Sequence, residues 1–449
     1  MKKVKNRALC ALLLVGITIL GMGFFVVRFV VKGGQWASAS FNTTAYSGGA
    51  LTIGKLTDRN GIVLADIKNG KRVFAESADV RKATLHTVGD MHGNIGTGAL
   101  SVYAPRLIGY NIVTGSYSRE RKGRSVTLTI DSRLNVEAYK ALNGRRGAVM
   151  VMNYRTGEVL CMVSTPAFDP SDPPGNVDGN PAYEGVYLNR AISSAFTPGS
   201  VYKLLTAAAA IENIGDIYSR EFNCQGSLKT DHGTVTCTKK HGKISFEEAL
   251  TVSCNCAFGE MALELGANTL ASYAESYGLS ERTAVGGITT ARGSFNKAPA
   301  GTADLAWSGI GQHNNTVCPA AMLRFVGAIA NGGNAMEMSL TKRTGVTAVI
   351  PGTSSRIMKS ETARILGGMM DYTVHQKSVA GNFPGLHIHA KTGTAEVGGG
   401  KEPNAWFAGY ITNEGHPLAF VVVVENGGGG FANASPIANR VLQAAVSGG

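Results

Sequence analysis

The chain has 449 residues and a mass of 46.9 kDa, more than one ordinary core accommodates, so a membrane segment with one large or two unequal folded domains is expected. Hydrophobic residues make up 44% and charged residues 16%, with 58 glycines, which excludes a disordered chain and calls for many tight turns. The formal net charge of +12 permits anionic partners, but there is no long unbroken Lys/Arg run and no nucleic-acid module, so the basic surface reads as solvated and nucleic acid is not an expected partner.

Residues 1–7 (MKKVKNR) are strongly basic, and the run from Ala8 to Val27 (ALCALLLVGITILGMGFFVV) is uncharged and long enough to cross a bilayer as a helix. A cytoplasmic tail over 1–7 and a transmembrane anchor over 8–31 follow. Lys2, Lys3, Lys5 and Arg7 outnumber Arg28 and Lys32, which places the N-terminus in the cytoplasm and the remainder on the extracellular face. The competing reading is a cleaved signal peptide, because Ala37-Ser38-Ala39 resembles a cleavage site; the length of the apolar run and the distance to that triplet favour the anchor.

From about 35 to 124 the chain is polar and Gly-rich, with turn signals at Asp58-Arg59-Asn60-Gly61 and Lys68-Asn69-Gly70, and reads as a small β-rich N-terminal domain. Ser125 to Ile130 (SVTLTI) alternates as a half-buried strand does and opens a second domain, 125–449, in which Asp131-Ser132 caps a helix running to Leu142. Ala148 to Met152 and Glu158 to Ser164 are apolar runs separated by a turn ending in Gly157, the pattern of a hairpin. A matching pair, Trp406 to Ile411 and Leu418 to Val424, lies near the C-terminus, and Ser435-Pro436 then opens a last helix. The sheet therefore receives strands from both ends of the domain with helices between them, an α+β arrangement of an antiparallel sheet flanked by helices.

An external location permits disulfides, which bears on the seven cysteines. Cys10 lies in the membrane run. Cys224 and Cys237 sit in a polar, Gly-containing stretch with the look of a surface hairpin, and a bridge between them is expected, with two free thiols as the alternative. No His pair at ligand spacing accompanies them. Cys254 and Cys256 read as small buried hydrophobes, and the redox states of these two, Cys161 and Cys318 stay open. His86, His92, His387 and His389 read as surface or internally satisfied residues, so neither a metal nor a cofactor is expected.

Covalent catalysis by serine needs a hydroxyl, a base within reach and donors aimed at the developing oxyanion. Ser200 and Lys203 supply the first two, at the start of a predicted helix whose Ala-rich run extends to Ile211. Three residues apart on a helix they share a face, and the helix end offers unpaired N–H groups. Lys203 can act as a base only if burial or a neighbouring cation lowers its pKa, which is therefore expected. Ser294…Lys297 and Ser339…Lys342 repeat the Ser-x-x-Lys spacing without a following Ala/Leu-rich helix. Ser253-Cys254-Asn255 offers a hydroxyl and an amide two residues apart, a pattern also met at Ser40-Phe41-Asn42 and Ser294-Phe295-Asn296. Lys391-Thr392-Gly393-Thr394 occurs once, where a strand edge with Gly lets a substrate backbone pair closely while Lys and Thr hold a carboxylate.

In this order and at these separations the three stretches resemble the penicillin-binding protein and serine β-lactamase superfamily, with Cys254 where class A β-lactamases carry Asp. Gly309-Ile310-Gly311-Gln312 with Ala330-Asn331-Gly332-Gly333, the hairpin from Gly147 to Pro170, and Asp58-Arg59-Asn60-Gly61 extend the likeness over about Leu56 to Val446. It is most similar to a class B, monofunctional protein, the region before Ser125 being short for a glycosyltransferase domain. The resemblance implies a transpeptidase in which Ser200 attacks the penultimate D-alanine carbonyl of a peptidoglycan stem peptide, Lys203 takes its proton and Ser253 relays a proton to the leaving amine. It further implies that Asn255 binds the substrate amide, that Lys391, Thr392, Gly393 and Thr394 form the carboxylate-binding edge, and that the N–H groups of Ser200 and Thr394 form the oxyanion hole. β-Lactams would acylate Ser200, and a membrane glycan polymerase is an implied partner. A D-alanyl-D-alanine carboxypeptidase, a β-lactamase and a penicillin sensor or non-catalytic scaffold remain as alternatives.

Overall fold

The computed structural model describes residues 2–37, 46–47, 50–51, 54–109, 124–343, 352–377 and 379–448. Ser38, Ala39 and the Ser40-Phe41-Asn42 match lie outside the described residues. A single helix, Lys2–Ala37, contains the expected anchor; its stretch Val4–Gly33 has a mean hydropathy of 2.6 and is exposed from Val4 to Arg28. At about 1.5 Å per residue such a helix outreaches a hydrocarbon core of roughly 30 Å, so it is long and apolar enough to cross a membrane.

The chain then builds an α+β fold around a five-stranded sheet in the order Ile388–Ala395, Asn404–Ile411, Leu418–Val424, Gly147–Asn153, Val159–Thr165. Every pair is antiparallel, and the two ends of the domain meet at the centre, where Val421 faces Met150. Alternation sends Val149, Val151, Phe407, Phe420 and Val422 to one face, under the helices Ser132–Leu142 and Ser435–Val446. Ala148, Met150, Met152, Ala408, Val421 and Val423 meet the other core, with Lys203–Asn213, Asn255–Ser276 and Pro319–Ala330. Burial on both faces is why these strands read as unbroken apolar runs. Helix starts follow local chemistry: Asp131 Oδ1 accepts from the backbone N–H of Arg133 and Leu134 at 2.9 and 3.3 Å, and Pro436 occupies the first turn of the last helix.

A second, four-stranded sheet runs in the order Lys71–Phe74, Val63–Lys68, Lys55–Thr57, Ser125–Thr127. The last pair is parallel, so the strand expected to open the catalytic domain joins the small sheet instead. The region also contains the short helices Ala78–Ala83, Leu85–Val88, Ala99–Val102 and Ala104–Leu107, which its polar composition hid. Asp58 ties the two parts together. It is fully buried; Oδ1 accepts from Asn60 N and Ile62 N at 2.9 and 2.8 Å, and Oδ2 from Ser132 N and Ser132 Oγ at 3.1 and 2.7 Å. A buried carboxylate is tolerable only with such complete pairing, and this one closes the Asn-Gly turn while capping the first helix of the larger part.

Candidate active site

Ser200 lies in the 3-10 turn Gly199–Tyr202, which runs directly into the helix Lys203–Asn213. Gly199 has φ +56° and donates its N–H to Gly311 O at 2.9 Å; a Cβ there would stand 2.7 Å from Thr394 O. A Cβ on Gly393 would in turn lie 2.7 Å from Pro198 O. Glycine at both positions therefore allows the nucleophile turn and the strand Ile388–Ala395 to touch backbone to backbone. That strand is the outer edge of the main sheet, with Asn404–Ile411 as its ladder partner among the described residues.

Lys203 is completely buried, and burial lowers its pKa from 10.5 to about 7. Its amine reaches Ser253 O at 2.6 Å, Ser253 Oγ at 3.1 Å and Asn255 Oδ1 at 2.8 Å, and lies 5.4 Å from the centre of the Phe258 ring. These partners occupy its donors, and Ser200 Oγ makes no hydrogen bond to it among the described residues, a looser pairing than the sequence implied. From the strand, Lys391 brings a second amine to the same hydroxyl, 3.0 Å from Ser253 Oγ, with Thr392 O at 3.2 Å. Burial first, then the charge of Lys203, hold the Lys391 amine well below the ordinary lysine range. One hydroxyl thus bridges two amines, and charge on Lys203 disfavours charge on Lys391.

Ser253 has φ +55°, a left-handed conformation that a serine rarely adopts, immediately before the helix Asn255–Ser276. Asn255 is held by Lys203 through Oδ1 and by Thr236 O at 2.9 Å through Nδ2. One lone pair and one N–H of this amide remain for a ligand. Thr394 Oγ1 accepts from Gly430 N at 3.2 Å. A cleft of about 670 Å³ opens above this group, lined by Ser200, Ser253, Asn255, Thr392 and Thr394, while the Lys203 and Lys391 amines meet beneath it. Its walls add Thr236, Cys237, Thr238, Asp304, Trp307, Ile310, Gln312, His313 and Glu396. Of these, Ile310 and Gln312 lay in a stretch singled out from the sequence and Cys237 was singled out there for a disulfide; the others carry no motif. The repeats at Ser294…Lys297 and Ser339…Lys342 do not line the cleft.

The expected bridge between Cys224 and Cys237 is not formed, and both are free thiols. Cys224 is buried rather than on a flap: its strand Glu221–Cys224 pairs with Gly242–Ser245, with the hairpin Ser227–Lys229/Thr234–Thr236 between them. Cys224 Sγ and Cys237 Sγ each stand 3.5 Å from His241 Nδ1, and Cys237 Sγ is 3.9 Å from Cys254 Sγ. The sulfurs converge on a shared imidazole instead of on each other. Among the histidines read as satisfied, His86 is buried against Val186 O at 2.6 Å and His389 stacks on Tyr410 at 4.6 Å.

A serine hydroxyl at the mouth of a helix, above two buried amines and beside an open sheet edge, can form and resolve an acyl-enzyme. Residues 147–443 match the penicillin binding protein transpeptidase domain, and the chain belongs to that family. It is 28% identical over 380 residues to the peptidoglycan D,D-transpeptidase PbpA of Mycobacterium tuberculosis, covering 76% of this chain and 77% of that protein. It is 29% identical over 357 residues to the stage V sporulation protein D of Bacillus subtilis, covering 73% and 54% of the two chains. Among solved structures it is similar to the imipenem acyl-enzyme complex of penicillin-binding protein A from M. tuberculosis, with a TM-score of 0.74, 26% identity, and coverage of 88% of this chain and 98% of that one.

Proposed function

We propose that this chain is a peptidoglycan D,D-transpeptidase with Ser200 as its nucleophile. The observation that carries this is the meeting of Ser200, Ser253, Asn255, Thr392 and Thr394 around one cleft with Lys203 and Lys391 beneath it. The family membership and the D,D-transpeptidase relatives support the same reading.

In this reading the Ser200 oxygen attacks the penultimate D-alanine carbonyl and its proton passes to Lys203, whose depressed pKa keeps much of the amine unprotonated near neutral pH. The N–H groups of Ser200 and Thr394 receive the oxyanion. As the C–N bond breaks, the proton moves through Ser253 Oγ to the departing D-alanine amine. The amine of a second stem peptide then attacks the ester, and Ser200 regains its proton as the new amide forms. Lys391 answers to the substrate: an arriving terminal carboxylate offsets the cost of burying its cation, so carboxylate and proton are taken up together. A β-lactam follows the first half of this path and stalls as the ester.

Residues 1–7 act as a cytoplasmic tail, 8–31 as the anchor and 35–124, with the strand Ser125–Thr127 that completes its sheet, as a pedestal under the catalytic remainder on the extracellular face. A membrane glycan polymerase is the partner such an enzyme requires, since strands must exist before they are joined. The test is incubation with a labelled penicillin, peptide mapping, and an assay of crosslinked against hydrolysed stem peptide. An adduct on Ser200 with crosslinked product supports the reading. Hydrolysis alone shows a carboxypeptidase, and an adduct with neither product shows a sensor or scaffold.

A further inference from the structure

The group Cys224, Cys237, His241 and Cys254 is used by no step above. Its four donor atoms lie within 4.8 Å of one another. We propose that they form a structural zinc site of the Cys3His type that abuts the catalytic cleft. Zn–S bonds of about 2.3 Å and a Zn–N bond of about 2.0 Å in a tetrahedron put sulfurs roughly 3.8 Å apart and sulfur roughly 3.5 Å from nitrogen. The separations here are 3.9 Å for Cys237 Sγ to Cys254 Sγ and 3.5 Å for His241 Nδ1 to both Cys224 Sγ and Cys237 Sγ. Those edges are far longer than the ~2.05 Å of a disulfide, and they leave the space a metal fills.

Two further contacts point the same way. The backbone N–H of Asn255 is directed at Cys237 Sγ at 3.2 Å, and that of Ala257 at Cys254 Sγ at 3.5 Å. Thiolates bound to a metal carry negative charge that such donors offset. Cys224 and Cys254 are buried, and Cys237 reaches the cleft wall. Four protein ligands leave no open position, so the site is structural and not a source of activated water. Soft thiolates with one imidazole in a tetrahedron select zinc over calcium or magnesium.

The four ligands come from separate segments: the end of the strand Glu221–Cys224, the residue after Thr234–Thr236, the loop before Gly242–Ser245, and the N-cap of the helix Asn255–Ser276. Cys254 lies between Ser253 and Asn255, the two residues that hold the Lys203 amine. The metal therefore pins the left-handed turn at Ser253 to the neighbouring hairpin, and it occupies thiols that would otherwise oxidise outside the cell.

The test begins with the full-length chain purified in detergent under reducing conditions, with its metal content measured directly. About one zinc per chain is expected. Cobalt replacing it should give the thiolate-to-metal absorption of a tetrahedral sulfur site, and Cys224, Cys237 and Cys254 should react with a thiol reagent only after chelation. Cys224→Ala with His241→Ala should abolish the zinc, and chelation should slow penicillin acylation about tenfold or more, reversibly on zinc addition. The proposal is overturned if the reduced parent chain binds neither zinc nor cobalt, if the double variant retains the metal, or if Cys237 is found paired with Cys224 or Cys254. The cobalt spectrum of the parent chain decides the matter even if the variant does not fold. Metal content is read without any acylation, so failure of the transpeptidase reading leaves this test standing.

Discussion

Gly199→Ala tests the close approach on which the oxyanion site depends. At φ +56° an alanine carries a backbone cost of about 1 kcal/mol relative to glycine. Its Cβ would also stand 2.7 Å from Thr394 O and 3.0 Å from Ala395 Cβ, atoms of a paired strand that cannot swing away as the end of a side chain can. Either the turn or the strand edge must retreat by roughly half an ångström, for a total destabilisation of about 1–3 kcal/mol. The two N–H groups assigned to the oxyanion sit on the segments being pushed apart. Loss of one well-aimed donor costs about a hundredfold or more in rate, so the acylation rate should fall by about that factor while the protein stays folded. Stopped-flow acylation by a fluorescent penicillin, beside a thermal melt, measures both. Acylation at the parent rate with an unchanged melting temperature would refute the account of how turn and edge are held together.

Acylation by a penicillin should rise about tenfold per pH unit below pH 7 and level off above it, because the reactive Lys203 amine is the unprotonated one and burial puts its pKa at about 7. A pH–rate profile still climbing at pH 9 would show an ordinary lysine. Lys203→Arg should abolish acylation, since an arginine stays protonated; normal labelling would exclude a base role. Ser253→Ala removes the oxygen that stands 3.1 and 3.0 Å from the two amines and should cut acylation about a hundredfold, with the acid limb moving to lower pH because both cations lose an acceptor. Asp58→Ala leaves the N–H groups of Asn60 and Ile62 and both groups of Ser132 without their partner, and should lower stability by about 3 kcal/mol in a denaturant titration.

Much of this architecture could be read in advance where chemistry is local. Asp131 caps its helix, Ser435-Pro436 opens the last one, and the strand Leu418–Val424 has the bounds its apolar run indicates. Ser200 and Lys203 stand out by their spacing at a helix start, although Ser200 lies in the 3-10 turn before that helix and the Lys203 amine turns to Ser253 and Asn255. What escaped depends on distant segments. Ser125–Thr127 has the alternation of a strand but nothing that says which sheet it joins, and its parallel partner lies 70 positions earlier. The bridging role of Ser253 needs Lys203 and Lys391, from two other elements, to arrive together. Cys224 and Cys237 invited pairing by nearness in sequence, while the fold turned each toward His241 and brought Cys254 in from a helix start. Trp307, His313 and Glu396 follow no spacing rule, and their place on the cleft wall comes from tertiary packing.

The open flank of Ile388–Ala395 bears on how this enzyme can change. A ligand laid along it is gripped by peptide groups, which substitutions other than to proline leave in place, as well as by the side chains of Lys391, Thr392 and Thr394. Much of the discrimination between a wall peptide and a drug then falls to the rest of the cleft wall, where Trp307 and His313 stand. Drug escape in such a chain is therefore expected to accumulate on that wall, at positions that leave the peptide groups and the carboxylate-binding side chains of the strand in place.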